Sequence, residues 1–348
     1  MKTRVWMACL GAGLLAVTGA ACSSSAHQTH GPLETTNITV ADFPSVNSAG
    51  LYIALQQGLF KQQGLNVKIV PNFTSTQVPD TDIETGKADV ASSDYVTFLE
   101  NKFLQNKDLE IIGEGSTLVP DEMGLIGKAT SKIQTVPELV GRTVSITAPN
   151  DIATLLLDSL LTDNGIPIKG KVPYKYGVPL PAAPALISSG AAVAAPAVQP
   201  FVAEAEQQFG ESIFADFDQG STQNFPVQGF AVMRSWAQQN PNTLKAFVTA
   251  LDEGQQIADS DRAAVEKAIV APPLSVKKQI ATVMPLPEFP LAVDPTRLQR
   301  VLSLMVQFDF LPAKDSAYKM SSMVYSGNVA GADGAAPGMD TSAAGTGS

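Results

Sequence analysis

One pattern occurs twice in this chain and limits what it can fold into. Residues 38–70 run as an apolar β-branched stretch (Ile38, Val40), a short polar loop, a helix, and a second alternating stretch (Val67, Ile69). Leu51, Tyr52, Ala54 and Leu55 recur at the spacing of one buried helical face, and Gly58 supplies the stop. Residues 143–165 echo it: a strand at 143–147, a loop through Asn150 and Asp151, a helix with Leu155, Leu156 and Leu160 facing inward, then Gly165. A second unit is also duplicated. Residues 85–91 predict a turn and strand, after which Ser92, Ser93, Asp94 and Tyr95 open a helix; residues 190–195 predict another, after which residues 196–201 open the next helix. Period-2 segments alternating with period-3.6 segments predict an α/β fold of two related lobes. Its ligand loops belong at the carboxyl ends of parallel strands. A chain of 348 residues is long enough to bury two such cores.

The opening unit carries a resemblance. Leu51-Tyr52-Ile53-Ala54-Leu55-Gln56-Gln57-Gly58-Leu59-Phe60, followed by Gly64-Leu65-Asn66-Val67, resembles the NMT1/THI5-like solute-binding proteins of ABC importers, a group that takes nitrate, sulfonates, taurine and thiamine pyrimidines. Gly86 to Ala91 matches that family's Gly-x-x-Asp-Val-Ala. The second half departs from it: Val193 and Ala194 stand where an acidic residue is usual, and Gln199-Pro200-Phe201 replaces Glu-Pro-Phe. The resemblance covers residues 38–325 and implies a type II periplasmic-binding-protein fold, two α/β lobes with a cleft and a two-segment hinge. It implies lobe I at 38–122 plus 234–326 and lobe II at 123–233. It also implies an ABC permease with its ATPase subunits as partners, and a monomeric receptor.

Reading the loops together predicts a ligand among residues 42–48, 74–77, 92–95, 147–154 and 222–228. The candidate contacts are Asp42, Phe43, Asn47, Ser48, Thr76, Ser92, Ser93, Asp94, Tyr95, Thr147, Asn150, Asp151, Gln199 and Phe225. Phe73 is a further ring at hand. The small hydroxyls and helix first turns offer donors, the rings offer flat faces, and Asp42, Asp94 and Asp151 read equally as helix caps. These loops contain no Lys or Arg, and a buried anion without compensation costs several kcal/mol. A neutral, amino- or pyrimidine-bearing solute is therefore expected, with a small anion such as a sulfonate or nitrate as the alternative.

Catalysis is disfavoured by what the body lacks. The 2 Cys, Cys9 and Cys22, lie in the first 22 residues, and the 2 His, His27 and His30, precede the first strand. Triad, thiolate and His-ligated zinc chemistry are thereby excluded, and no metal or cofactor is expected. The pyrimidine synthases that share the family name need a histidine and a cysteine-rich motif, which this body lacks. An exported enzyme on the same scaffold and a surface receptor for another protein are the remaining alternatives.

Residues 1–22 read as a bacterial lipoprotein signal. Lys2 and Arg4 precede an apolar run that ends at Cys22, the expected lipidation site, although Gly19 stands where an aliphatic residue is usual; simple secretion is the alternative. Residues 23–37 then form a polar tether and 327–348 a disordered tail. The formal net charge of -10 becomes -12 once Lys2 and Arg4 leave with the signal, which disfavours nucleic acid and places membrane contact on the lipid.

Overall fold

The computed structural model describes residues 30–73 and 76–328. The signal, Cys22, His27, Thr74 and the tail beyond residue 328 lie outside the described residues. The strands are β1 (Asn37–Asp42), β2 (Asn66–Pro71), β3 (Val90–Asp94), β4 (Leu109–Thr117), β5 (Met123–Lys128), β6 (Val144–Ser145), β7 (Tyr174–Lys175), β8 (Ala195–Val198), β9 (Glu211–Asp216) and β10 (Pro226–Met233). The helices used below are α1 (Ala49–Gln56), α2 (Gln77–Glu84), α3 (Tyr95–Phe103), α4 (Ile152–Asp163), α5 (Pro241–Ser260) and α6 (Pro295–Gln307).

The first sheet has the order β2-β1-β3-β10-β4, with β1 parallel to β2 and β3, and β10 antiparallel to both its neighbours. The second repeats it. β8, β5 and β9 form an antiparallel trio, β6 pairs parallel with β7, and a parallel bridge from Val144 to Ala194 joins that pair to the chain entering β8. The resulting order β7-β6-β8-β5-β9 places one antiparallel strand fourth, as in the first sheet. That strand is the one the chain reaches by changing sheets. β5 follows β4 across residues 118–122, and β10 follows β9 across residues 217–225.

The two crossings run side by side. Leu118 N donates to Phe225 O at 2.9 Å, and Phe217 N to Met123 O at 3.0 Å. Residues 226–233, which the sequence places in the second lobe, are thus a central strand of the first: the chain has already returned when β10 begins. The other strand boundaries move too. Ser92, Ser93 and Asp94 belong to β3 rather than to a loop, and the strand predicted at 190–195 lies at Ala195–Val198. Small residues pack into either conformation, so local pattern fixed these ends poorly.

Side chains alternate across the first sheet as period 2 demands. Ile38 and Val40 join Leu51, Phe60, Phe230 and Phe247 on one face, whereas Ala41, Ala91 and Ala231 join the other cluster. That second cluster continues through Tyr95, Phe98, Leu155, Phe217 and Leu298 into the second sheet. Helix α6 lies along this seam, contacting α3 and α4. The last part of the expected tether is fixed: Glu34 accepts from Asn242 N and Thr243 N at 3.2 and 2.9 Å, satisfying free donors at the start of α5. At the other end Asn328 is buried, donating to Ile112 O and Asp252 Oδ1 at 3.0 Å, so the start of the expected disordered tail is also packed.

Candidate functional site

The carboxyl ends of β1 and β3 lie side by side, as parallel pairing of Asp42 with Ser92 requires. Asp42 is fully buried and accepts from Ser48 Oγ at 2.9 Å and from the Tyr52 hydroxyl. Gln228, arriving on β10, donates to Ser48 Oγ at 2.7 Å and Ser92 Oγ at 2.8 Å, while Ser45 Oγ donates to Gln228 Oε1 at 2.6 Å. Three of the predicted contacts, Asp42, Ser48 and Ser92, therefore belong to one closed network. Ser45, Tyr52 and Gln228 complete it; Gln228 lies in one of the predicted loops, but its reach back to β1 depends on the antiparallel register of β10. Burial pushes the Asp42 carboxyl up, with the Tyr52, Ser92 and Ser48 hydroxyls opposing.

A second group lies at the end of β3. Asp94 Oδ1 caps α3 by accepting from Thr97 N at 2.8 Å, and Oδ2 takes the Thr97 hydroxyl at 3.0 Å. Ser93 Oγ donates to Thr76 O at 2.7 Å, and the Thr76 and Thr97 hydroxyls meet at 3.0 Å. Across the seam Asp151 caps α4 in the same way, accepting from Thr154 N at 2.8 Å and from Ala148 N at 3.1 Å. Burial first, then the neighbouring Asp94 charge, pushes Asp151 up to about 6, against its own donors; Glu100 is pushed up to about 7, again by burial and then by Asp94. Acid groups of both sheets thus face one seam.

The remaining predicted residues separate. Asn47 is buried beside the seam side of β4, its Oδ1 without a partner among the described residues. Phe43 is held by its backbone, donating to Ser92 O at 3.0 Å. Tyr95 is 1% exposed and packs edge-on against Phe98, its hydroxyl pressed on Gly229; Phe225 is fully buried beneath the Arg300 guanidinium. Both rings pack as core and present no open face. Phe73 is exposed. Gln199 is buried and ties β8 to the first crossing through Nε2 to Asp121 O at 3.2 Å. Thr147 O receives Gly177 N, and Asn150, exposed with φ 58°, borders open space.

That open space is a cavity of about 370 Å³ that the sequence did not single out. One wall is the α4 face of Thr154 and Asp158, another is Tyr174 and Tyr176, and Phe308 and Phe310 arrive from the end of α6. The expectation of loops free of basic side chains also needs amendment. Long arms from α6 reach the seam: Arg297 is ion-paired with the buried Glu114 at 3.0 Å, and Arg300 donates to Asn224 O at 2.7 Å while its Nε is buried without a partner among the described residues.

Comparison with known proteins places this geometry. The family described as NMT1/THI5 like matches residues 45–262. No curated protein sequence matches. The structure is similar to the periplasmic aliphatic sulphonate binding protein SsuA from Escherichia coli, at 16% identity and TM-score 0.68, covering 84% of this chain and 99% of that one. It is similar to the periplasmic nitrate-binding protein NrtA from Synechocystis PCC 6803, at 14% identity and TM-score 0.70, covering 84% and 87%. A Candida albicans gene product, CA3427, described as having the generic periplasmic binding protein fold, is similar at 14% identity and TM-score 0.67, covering 84% and 96%. At such identities the likeness establishes the fold: a periplasmic-binding-protein architecture of two α/β units.

Proposed function

The chain belongs to the NMT1/THI5-like family, and from that premise we propose that it is an extracytoplasmic solute-binding protein of an ABC importer, taking up a small polar solute between its two sheet units and presenting it to a permease. The observation that supports this best is the pair of adjacent crossings, residues 118–122 and 217–225, joining two sheets of the same strand order. Two short adjacent connections, running in opposite directions between rigid units, form a hinge, and a hinge lets the units close on a guest. In this reading lobe I is 38–122 with the return from residue 226 onward, lobe II lies between, and Cys22 anchors a monomeric receptor outside the cell membrane. Among the described residues no helix is long and apolar enough to cross a membrane.

Binding rather than turnover fits the site's chemistry. The seam is lined by carboxyls, hydroxyls and the Arg297 and Arg300 guanidiniums, while His30, the one imidazole among the described residues, is bonded to Gly31 O and Gln63 O away from it. The test is thermal melting of the purified protein with amines, pyrimidines, sulfonates and nitrate. One class is expected to raise the melting temperature with saturable concentration dependence; a flat response across the panel overturns the receptor reading. A second reading, a small anionic solute, is favoured by Arg300, whose buried Nε has no partner among the described residues. It predicts that only sulfonates or nitrate protect, and that Arg300→Met abolishes the protection.

A further inference from the structure

The cavity beside α4 has a chemistry distinct from the strand-end network. Asp158, one turn after Thr154, is only 4% exposed. Its Oδ1 accepts the Tyr174 hydroxyl at 2.6 Å; no donor among the described residues reaches Oδ2, and the residue lines the cavity. A buried carboxylate half satisfied in this way lacks a partner, which a cation can supply. The Tyr174 and Tyr176 rings meet edge to face, centroids 6.0 Å apart, and Phe308 and Phe310 add two more aromatic side chains to the wall. Aromatic faces attract cations through their quadrupole and offer nothing comparable to an anion.

The other charges around the cavity agree with that polarity. Asp151 begins α4, and its charge, like that of Asp158, is felt at the Tyr176 hydroxyl. Lys169 is the basic side chain at the rim, but its ammonium is exposed and paired with Asp309 at 3.0 Å. The volume of about 370 Å³ lies in the range of pockets for small organic ligands. We propose that this cavity binds a small organic ammonium ion, with Asp158 Oδ2 as its counter-charge and the flanking tyrosines and phenylalanines as its apolar, cation-attracting wall. The proposal rests on the receptor reading only in taking this guest as the transported solute; binding itself does not depend on it.

Because burial raises Asp158 to about 6, the cation and a proton compete for the same carboxyl. Affinity should therefore fall as pH drops through that value. The experiment is titration calorimetry of the full mature chain with choline, its neutral isostere 3,3-dimethylbutan-1-ol, and ethanesulfonate. Choline is expected to bind at least about tenfold more tightly than the isostere. Asp158→Asn should remove most of that difference, and Tyr176→Leu, at a position 47% exposed, should weaken choline binding several-fold. Equal binding of choline and its isostere overturns the proposal, as does unchanged affinity in both variants or no choline binding at millimolar concentration. If ethanesulfonate binds instead, the receptor reading survives and this assignment falls. If choline binds through Asp158 but no solute drives closure of the two units in solution scattering, the assignment survives and the receptor reading falls.

Discussion

A carboxylate at the end of a buried strand must find donors, and Asp42 finds them in the next helix, in the hydroxyls of Ser48 and Tyr52. Removing it takes the acceptor from the Tyr52 hydroxyl in a sealed space, whereas Ser48 keeps Gln228 and Ser92. An unsatisfied buried polar group costs about 1–3 kcal/mol, so Asp42→Ala should lower the free energy of unfolding by about that amount, read from urea melts. Solute affinity of the folded variant should change less than about tenfold; a large loss of affinity with little loss of stability would instead make Asp42 a ligand contact. The sequence shows that these residues matter more clearly than it shows why. Small hydroxyls and acids gathered at strand ends were visible in Asp42, Ser48, Ser92, Asp94 and Asp151. Whether each faces a guest or its own backbone depends on neighbours brought from far along the chain, and here the Asp94 and Asp151 oxygens cap α3 and α4.

At the scale of elements, α1 and α5 approach closely because glycines face each other. A Cβ on Gly254 would stand 2.3 Å from Gly50 O and 2.9 Å from the Ala54 side chain, so backbone rather than a flexible side chain would have to yield. Gly254→Ala should therefore destabilise the protein by about 1–3 kcal/mol despite alanine's better helix propensity, with the urea midpoint as readout. A stabilised variant would mean the helices have room to separate. Helix α1 was legible from its own face, since Leu51, Tyr52 and Ala54 are buried as their spacing requires. The α4 face was equally legible, because Leu155, Leu156 and Leu160 repeat at helical spacing and are buried. What local pattern did not show is which distant element meets which loop. Tyr174 and Tyr176 sit in a short stretch with a two-residue strand, and their partners Phe308 and Phe310 follow α6 more than 130 residues later. Arg300 escaped the survey of loop charges for the same reason: a long side chain on one helix satisfies a carbonyl in a loop 76 residues earlier.

For the whole molecule, the fold buries a set of carboxyls, some where the two units meet and others within a unit, and burial keeps several of them protonated. Glu122, in the first crossing, is fully buried with both oxygens unpartnered among the described residues; burial first, then Asp216 and Asp218, raises it to about 8. Burial raises Asp252 to about 7, and Asp151 and Asp158 to about 6. In the unfolded chain such groups ionise near 4. Between about pH 5 and 8 the folded state thus holds more protons than the unfolded one, and stability must fall as pH rises, by about 1.4 kcal/mol per pH unit for each carboxyl that still holds its proton when folded. The carboxyls shifted the other way, Glu34 at the start of α5, Asp108 beside Lys102 and Glu138 at its turn, titrate below this window and leave the slope unchanged. Urea midpoints should therefore decline from about pH 5.5 to pH 8. Glu122→Gln should flatten the upper part of that decline and Asp158→Asn the lower part. A midpoint that climbs over the same range would mean that these carboxyls are ionised and paired in the folded protein, and that the seam is more open to water than its packing implies. An ammonium guest adds a second signature: by holding Asp158 ionised it should stabilise the protein more at pH 7.5 than at pH 5.5, so that the protection given by choline grows along the axis on which the free protein weakens.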